Sequence, residues 1–354
     1  MPALLRKLRR IIAALKTNKG NLMGGNENIE TLARVDIGAF LNGTDTEREK
    51  IARHVDDICR EIGYLIIENH GIDQNIIDNA WKAAEQFFAL SDEQKLKAKS
   101  AEEGSPRGYV PVEGENLAKT IGDELPPDRK ETFSSGPLSP PVGHHGEKQG
   151  FNFFYGDNIW PEEPADFQKH WIRYYLAMDQ LGARIMEVLA VALKLDPDFF
   201  VPYHTHHISA LRTQNYPSLS RKILPGQLRA GAHSDYGSVT ILRPDPFVDG
   251  LEVKSPHGGW IKAPVVSDGF IINIGDLLAR WTNDRWVSTL HRVVEPNHKK
   301  GEVPKRRQSI AYFMNPNYDG IIKTIPTCLK KSEQSKYASV SAGDYLMAKF
   351  RQST

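Results

Sequence analysis

Apolar residues recur at three- and four-residue spacing through much of the first half of the chain, and in short β-rich runs through the second. Ile51, Val55, Ile58 and Ile62 share one face of a helix predicted over 45–62, which Gly63 ends. Tyr64-Leu65-Ile66-Ile67 reads as a short buried strand turned by His70-Gly71, and a second helix is predicted over 73–90. Ser91 opens a third, because its hydroxyl can accept from an otherwise unpaired first-turn N–H. Residues 101–163 carry Gly, Pro and Ser without a sustained period and predict long loops with short strands, of the kind that cover sites. A long helix is predicted over 164–195, with Pro161 and Pro164 at its start and Asp196-Pro197 past its end.

After about His206, runs rich in Val, Ile, Leu, Tyr and Phe alternate with Gly, Pro and Asp-Gly breaks: 207–217, 230–243, 250–254, 259–265, 269–274, 287–294 and 307–314. Short strands at such spacing predict an antiparallel sandwich or jelly roll. The fold class expected is therefore α+β, an α-rich N-terminal region packed on a barrel-like β core.

Charge and cysteines narrow the classes. Lys+Arg 45 against Asp+Glu 44 leaves a net charge of +1, so no global footprint for nucleic acid exists. Cys59 and Cys328 cannot build a disulfide framework or a four-thiolate zinc site, which suits a reducing, cytoplasmic setting. The longest apolar runs, such as 188–193, are far too short for a transmembrane segment. Residues 1–30 form a basic amphipathic extension and linker. Within residues 1–25, Arg6, Lys7, Arg9, Arg10, Lys16 and Lys19 stand without any acid, and Leu4, Leu5, Leu8, Ile11, Ile12 and Leu15 share a helical face. Residues 1–19 suit organelle targeting or a membrane-surface helix; an extra helix laid on the body of the protein by its leucine face suits them as well.

The chemistry enters at His233-Ser-Asp235. Two residues apart on extended backbone, the imidazole and carboxylate project to one side and can reach a common ion. Ser288-Thr289-Leu290-His291-Arg292-Val293-Val294 supplies a third ligand, His291, from another strand. Two histidines and one carboxylate leave the opposite positions of a metal open, the arrangement of non-haem iron(II) oxygenases. The retained Asp235 argues against a halogenase. On its own a His-x-Asp spacing is a weak signal, and a hydrogen-bonded strand histidine explains it equally well.

More motifs follow in order: Asn273-Ile-Gly-Asp276, His291-Arg-Val and Arg307-Gln-Ser309, with Val35-Asp36, Gly63-Tyr64, Asn69-His70-Gly71 and Asp128-Arg-Lys-Glu131-Thr-Phe133 upstream. Together they resemble the 2-oxoglutarate/iron(II)-dependent dioxygenase superfamily in its isopenicillin N synthase-like branch, over about residues 33–350. Gly275-Asp-Leu-Leu-Ala-Arg-Trp and Ser309-Ile-Ala-Tyr-Phe-Met-Asn-Pro-Asn are similar to thymine dioxygenases and to other members. The resemblance implies a double-stranded β-helix core over 206–325, an N-terminal helical and loop region over 31–205, and a C-terminal helical segment over 326–354. It also implies Fe(II), 2-oxoglutarate and O2 as cofactor and cosubstrates, with the distal carboxylate of 2-oxoglutarate held by Arg307, Ser309 and Tyr216. A planar fork of donors in a dry pocket pairs with a carboxylate through two bonds. The expected reaction is oxidation of a C–H bond of a small molecule (hydroxylation, desaturation or oxidative cyclisation), with succinate and CO2 released. Relatives that keep Arg-x-Ser without using 2-oxoglutarate make an ascorbate- or substrate-driven oxidase the alternative.

Substrate-lining expectations fall on Arg107, Tyr109, Asn215, Tyr236, Arg280, Asn283 and Phe313. Arg107, Arg229, Arg280 and Arg285 near the mouth suggest an anionic or polar small molecule. The histidine-rich stretch Tyr203-His204-Thr205-His206-His207 reads as a loop that no carboxylate joins, His144-His145 as solvated, and Asp276 as a helix cap. Oligomeric state and substrate identity leave no mark in the sequence.

Overall fold

The computed structural model describes residues 31–353 apart from 103, 140, 142–148, 219–222 and 297–304. The expectations for residues 1–30 and for His144-His145 lie outside the described residues. Helices α1 (Ile37–Asn42), α2 (Asp45–Glu61), α3 (Gln74–Phe88) and α4 (Asp92–Leu96) occupy the first part of the chain. Strands β1 (Ala33–Asp36) and β2 (Tyr64–Glu68) run parallel there. Both α2 and α4 open on a capping box, Thr44 with Glu47 and Ser91 with Gln94, each satisfying two otherwise orphaned N–H groups. Gly63 ends α2 at φ 66°, and a Cβ there would lie 2.1 Å from the Val287 carbonyl oxygen, so glycine is required.

The loop-rich middle contributes β3 (Gly108–Val110), a 3-10 turn (Leu117–Ile121), β4 (Glu131–Ser135) and α5 (Gln149–Tyr155). The long helix α6 (Phe167–Ala192) follows. Then come β5 (Ala210–Tyr216), β6 (Ala230–His233), β7 (Val239–Arg243), β8 (Leu251–Lys254), β9 (Trp260–Lys262) and β10 (Phe270–Ile274). The chain continues through α7 (Asp276–Trp281), β11 (His291–Val293), β12 (Arg307–Met314), β13 (Ile321–Ile322), β14 (Val340–Ser341) and α8 (Ala342–Ser353).

Two sheets form the β core. The larger has the order β1-β2-β10-β7-β12-β5-β4-β3, and the smaller β6-β11-β8-β9. Strands from the N-terminal region therefore extend the large sheet at both edges. This differs from a helical layer merely packed on a separate β half: β2 pairs with β10, and β4 with β5. The outer face of the large sheet buries Leu65, Ile67, Ile272 and Ile274 against Val55 of α2 and Ile185, Val188 and Leu189 of α6.

Buried Asp56 on α2 joins the helical layer to the segment after α7. It accepts from Arg285 Nη2 (2.8 Å) and from the Trp286 indole N–H (2.8 Å), and pairs with Arg60 (2.7 Å). Burial works to raise its carboxyl, but these partners outweigh it and hold the group below its ordinary value. A depressed folded-state value contributes stability above the unfolded value that is lost as pH falls through the folded one. Asp56→Asn is expected to lower stability at neutral pH by about 3 kcal/mol. It should also flatten the acid limb of the Tm–pH curve below about pH 4, near the unfolded carboxyl value. Parallel acid limbs for wild type and variant would contradict the assignment.

Candidate active site

Strand β6 ends on His233 and β11 begins on His291, which is its register partner across the small sheet. Their rings stand 4.2 Å apart. Asp235 lies in the loop before β7 rather than on the strand. Its Oδ1 is 3.9 Å from His233 Nε2 and 3.8 Å from His291 Nε2, too long for hydrogen bonds but short enough for all three to reach one ion. Among the described residues, this is the one His/Cys/Asp/Glu group whose ligand atoms lie within 4.8 Å of one another.

Neighbouring groups aim the ligand atoms. His233 Nδ1 is 2.8 Å from the Gly231 carbonyl oxygen and His291 Nδ1 is 3.3 Å from that of Thr289, which turns both Nε2 atoms to the centre. Thr240 Oγ1 (2.6 Å) and Asn273 Nδ2 (2.7 Å) donate to Asp235 Oδ2, leaving Oδ1 to face the histidines. Burial and the neighbouring His291 charge push His233 down to about 3, so its imidazole is neutral and fit to ligate. Burial works to raise the Asp235 carboxyl, but the two histidines and the two donors hold it below its ordinary value. Thr240→Val is expected to weaken iron(II) binding about tenfold while leaving the fold intact, measured by equilibrium metal titration. Unchanged affinity would contradict a positioning role.

The loop carrying Asp235 is pinned by backbone bonds from the Asp276 N–H to Asp235 O (2.8 Å) and from Gly275 to Ser238 O (2.9 Å). A Cβ on Gly275 would sit 2.2 Å from the Gly237 carbonyl oxygen, so only glycine permits this approach. Asp276 is the first residue of α7 and does not cap it. Its carboxylate instead accepts from Ser288 Oγ and from Lys349 Nζ of α8, both at 2.7 Å.

On β12, Arg307, Ser309, Ala311 and Phe313 share one side of the sheet, opposite Tyr216, Gln214, Arg212 and Ala210 of β5. That side also carries Thr240, the register partner of Phe313. The Arg307 guanidinium lies 5.1 Å above the Tyr216 ring centroid. It is buried, and its Nε and Nη1 have no partner among the described residues. An uncompensated buried guanidinium is costly, and a carboxylate is the group that satisfies its fork. Ser309 Oγ donates to Gln214 Oε1 (2.8 Å), a neighbour whose place two residues before Tyr216 on the strand is a legible signal. The donor sets thus fit a divalent metal and an acidic cosubstrate.

Several sequence expectations land elsewhere. Tyr109 and Asn215 lie on the opposite, helix-covered side, where both donate to Glu131 (2.6 and 2.7 Å), which also pairs with Lys95 (2.8 Å). Arg107 donates to the carbonyls of Phe153 (2.6 Å) and Phe154. Arg280 donates to the Ala338 carbonyl (2.7 Å) and lies over the rings of Tyr337 and Tyr345. Asn283 holds the segment after it through Glu333 (3.1 Å) and the Lys336 N–H (2.9 Å). Arg229 pairs with Glu295 (2.6 Å), and Arg285 with Asp56. Each of these arginines has a structural partner, while Nε of Arg107 and Arg280 and both Nε and Nη1 of Arg229 are buried with none among the described residues. Tyr236 packs edge-on against Phe350 of α8 (5.7 Å). In the histidine-rich stretch a carboxylate does join: His207 Nε2 is 3.0 Å from Asp179 Oδ1 of α6.

The sequence reading missed a charged wall. Glu115 pairs with Arg212 Nη1 (3.1 Å) and Lys130 Nζ (3.2 Å), Lys130 with Asp128 (2.5 Å), and Arg212 Nε donates to Ser134 Oγ (2.8 Å). Asp128 also accepts from the Gly231 N–H (2.8 Å), tying this wall to β6, the strand that ends on His233. Arg212 stands four residues before Tyr216, an alternation signal that places both on one face.

A family model described as non-haem dioxygenase in morphine synthesis N-terminal matches residues 32–163, and the 2OG-Fe(II) oxygenase superfamily model matches residues 206–316. The 2-oxoglutarate-dependent dioxygenase thnC of Trichoderma harzianum is 32% identical, over 80% of this chain and 84% of that protein. A homoarginine-6-hydroxylase of Oryza sativa subsp. japonica is 30% identical, over 90% and 93%. A full-length Neurospora crassa protein crystallised in complex with alpha-KG superposes with a TM-score of 0.81 at 31% identity, covering 94% of this chain and all of that one.

Proposed function

The chain belongs to the 2OG-Fe(II) oxygenase superfamily, an oxidoreductase using iron(II), 2-oxoglutarate and O2, and from that premise we propose residue roles and a reaction. His233, Asp235 and His291 hold iron(II). Arg307, with Tyr216 beneath it and Ser309 beside it, receives the distal carboxylate of 2-oxoglutarate. The observation that carries this reading is the pairing of a convergent His-Asp-His group with a buried guanidinium whose Nε and Nη1 lack partners, both on the inner side of the β core.

With both groups bound, the iron centre supplies coupled oxidation: 2-oxoglutarate and O2 yield succinate and CO2, and the remaining oxygen atom oxidises a substrate C–H bond. The protein's own residues do the rest. Thr240 and Asn273 fix the Asp235 carboxylate, and the Gly231 and Thr289 carbonyls fix the two imidazoles. Phe313 lies on the same side of the large sheet as Thr240, and Tyr236 packs edge-on against Phe350. The substrate is a small organic molecule, and hydroxylation is the default outcome.

Succinate release tests the reading. Purified protein supplied with iron(II), 2-oxoglutarate and O2 is expected to form succinate, and ascorbate alone should not replace 2-oxoglutarate. Substrate oxidation without succinate would instead identify an ascorbate- or substrate-driven oxidase.

A further inference from the structure

The wall formed by Glu115, Arg212, Lys130 and Asp128 carries two negative and two positive groups, and together they balance. Lys130 and Asp128 are fully buried, and Asp128 accepts from the backbone N–H groups of Leu117 (3.2 Å) and Gly231 (2.8 Å). That inner pair is structural. The outer pair is different, since Glu115 and Arg212 keep 21% and 20% of their side-chain surface exposed. Arg212 uses Nε on Ser134 and Nη1 on Glu115, which leaves Nη2 without a partner among the described residues. Register places Arg212 opposite Ala311, on the side that carries Ser309 and Phe313.

Resting on the site assigned above, we infer that the Glu115–Arg212 pair selects an uncharged substrate presenting a carbonyl oxygen beside an N–H, as in a lactam, a cyclic imide or a primary carboxamide. The carbonyl accepts from Arg212, and the N–H donates to Glu115. Open-chain secondary amides are trans and place these groups on opposite edges, because the cis form costs about 2.5 kcal/mol or more. A ring or a primary amide puts both on one edge.

Charge decides against an amino acid. Each Glu115 oxygen already faces a cation, Oε1 with Arg212 and Oε2 with Lys130, so a substrate ammonium would be placed against two like charges. A substrate carboxylate at Arg212 would meet Glu115. A neutral dipole adds no charge to a balanced wall and needs no new counter-ion. Burial works to raise the Glu115 carboxyl, but Arg212 and Lys130 outweigh it and hold the group at about 2, so it remains an acceptor at all working pH values.

The test uses the full chain loaded anaerobically with iron(II) and 2-oxoglutarate, whose visible charge-transfer band reports substrate entry. Thymine and 2-pyrrolidinone serve as the neutral probes, proline and homoarginine as the charged ones. The neutral probes are expected to shift the band, and the amino acids to leave it unchanged. Glu115→Gln should raise the thymine concentration for half-saturation about tenfold, as expected for exchanging a charged acceptor for a neutral one. The unperturbed band of that variant checks its fold. A shift by proline or homoarginine at equal or lower concentration, or no shift with either neutral probe, would overturn the inference. Absence of the band itself would instead sink the iron and cosubstrate assignment.

Discussion

Asp235→Ala is expected to weaken iron(II) binding by more than about a hundredfold, since loss of supporting groups alone costs ten- to a hundredfold. Asp235 is the one carboxylate of the group, and without it only two imidazoles remain. Its removal also strands two donors. Thr240 Oγ1 and Asn273 Nδ2 both point at the carboxylate, so the variant leaves them in a buried space without their acceptor. Turnover should fall to background, and the thermal stabilisation that iron(II) gives the wild type should vanish. Metal-induced stabilisation of equal size in both proteins would show that the ion binds elsewhere.

Arg307→Ala separates cosubstrate from metal. Truncating one partner of a buried, charge-assisted pair costs about 3 kcal/mol, which is about a hundredfold in the concentration of 2-oxoglutarate for half-saturation. Iron(II) affinity should be unaffected. The stability of the free protein should hold or rise slightly, because a buried guanidinium with unpartnered Nε and Nη1 is removed. That combination is diagnostic: a purely structural arginine would lower stability and leave cosubstrate affinity alone. Arg307→Lys keeps the charge but not the planar fork, and should recover only part of the loss. Titration with 2-oxoglutarate, read by thermal shift, distinguishes these outcomes.

Local periodicity explains which parts of this site could be read along the chain. His233 with Asp235, and Arg307 with Ser309, are neighbours two residues apart, so strand alternation alone predicts that each pair can face one way. Asn215 shows the limit. It adjoins Tyr216, and a single step along a strand reverses the face, which puts Asn215 with Tyr109 and Glu131 under the helices. Alternation along β5 places Gln214 and Arg212 on the face of Tyr216, but Glu115 comes from a loop nearly a hundred residues upstream, information that no local pattern carries. Arg280 and Asn283 follow the Gly275-Asp276 turn closely in sequence, yet the segment around 333–338 claims both. The helices over 45–61 and 74–88 were legible from their apolar faces. The pairing of β2 with β10, which carries an N-terminal strand into the large sheet, was not, because strand partners are chosen by tertiary packing.

The most direct test of the central claim is an anaerobic titration of the full chain with iron(II) and then 2-oxoglutarate, recorded in the visible. A weak charge-transfer band should form only when both are present, be absent in Asp235→Ala, and need about a hundredfold more 2-oxoglutarate in Arg307→Ala. A wild-type protein that binds iron(II) tightly yet never develops the band, or an Arg307→Ala variant with unchanged 2-oxoglutarate dependence, would contradict the account.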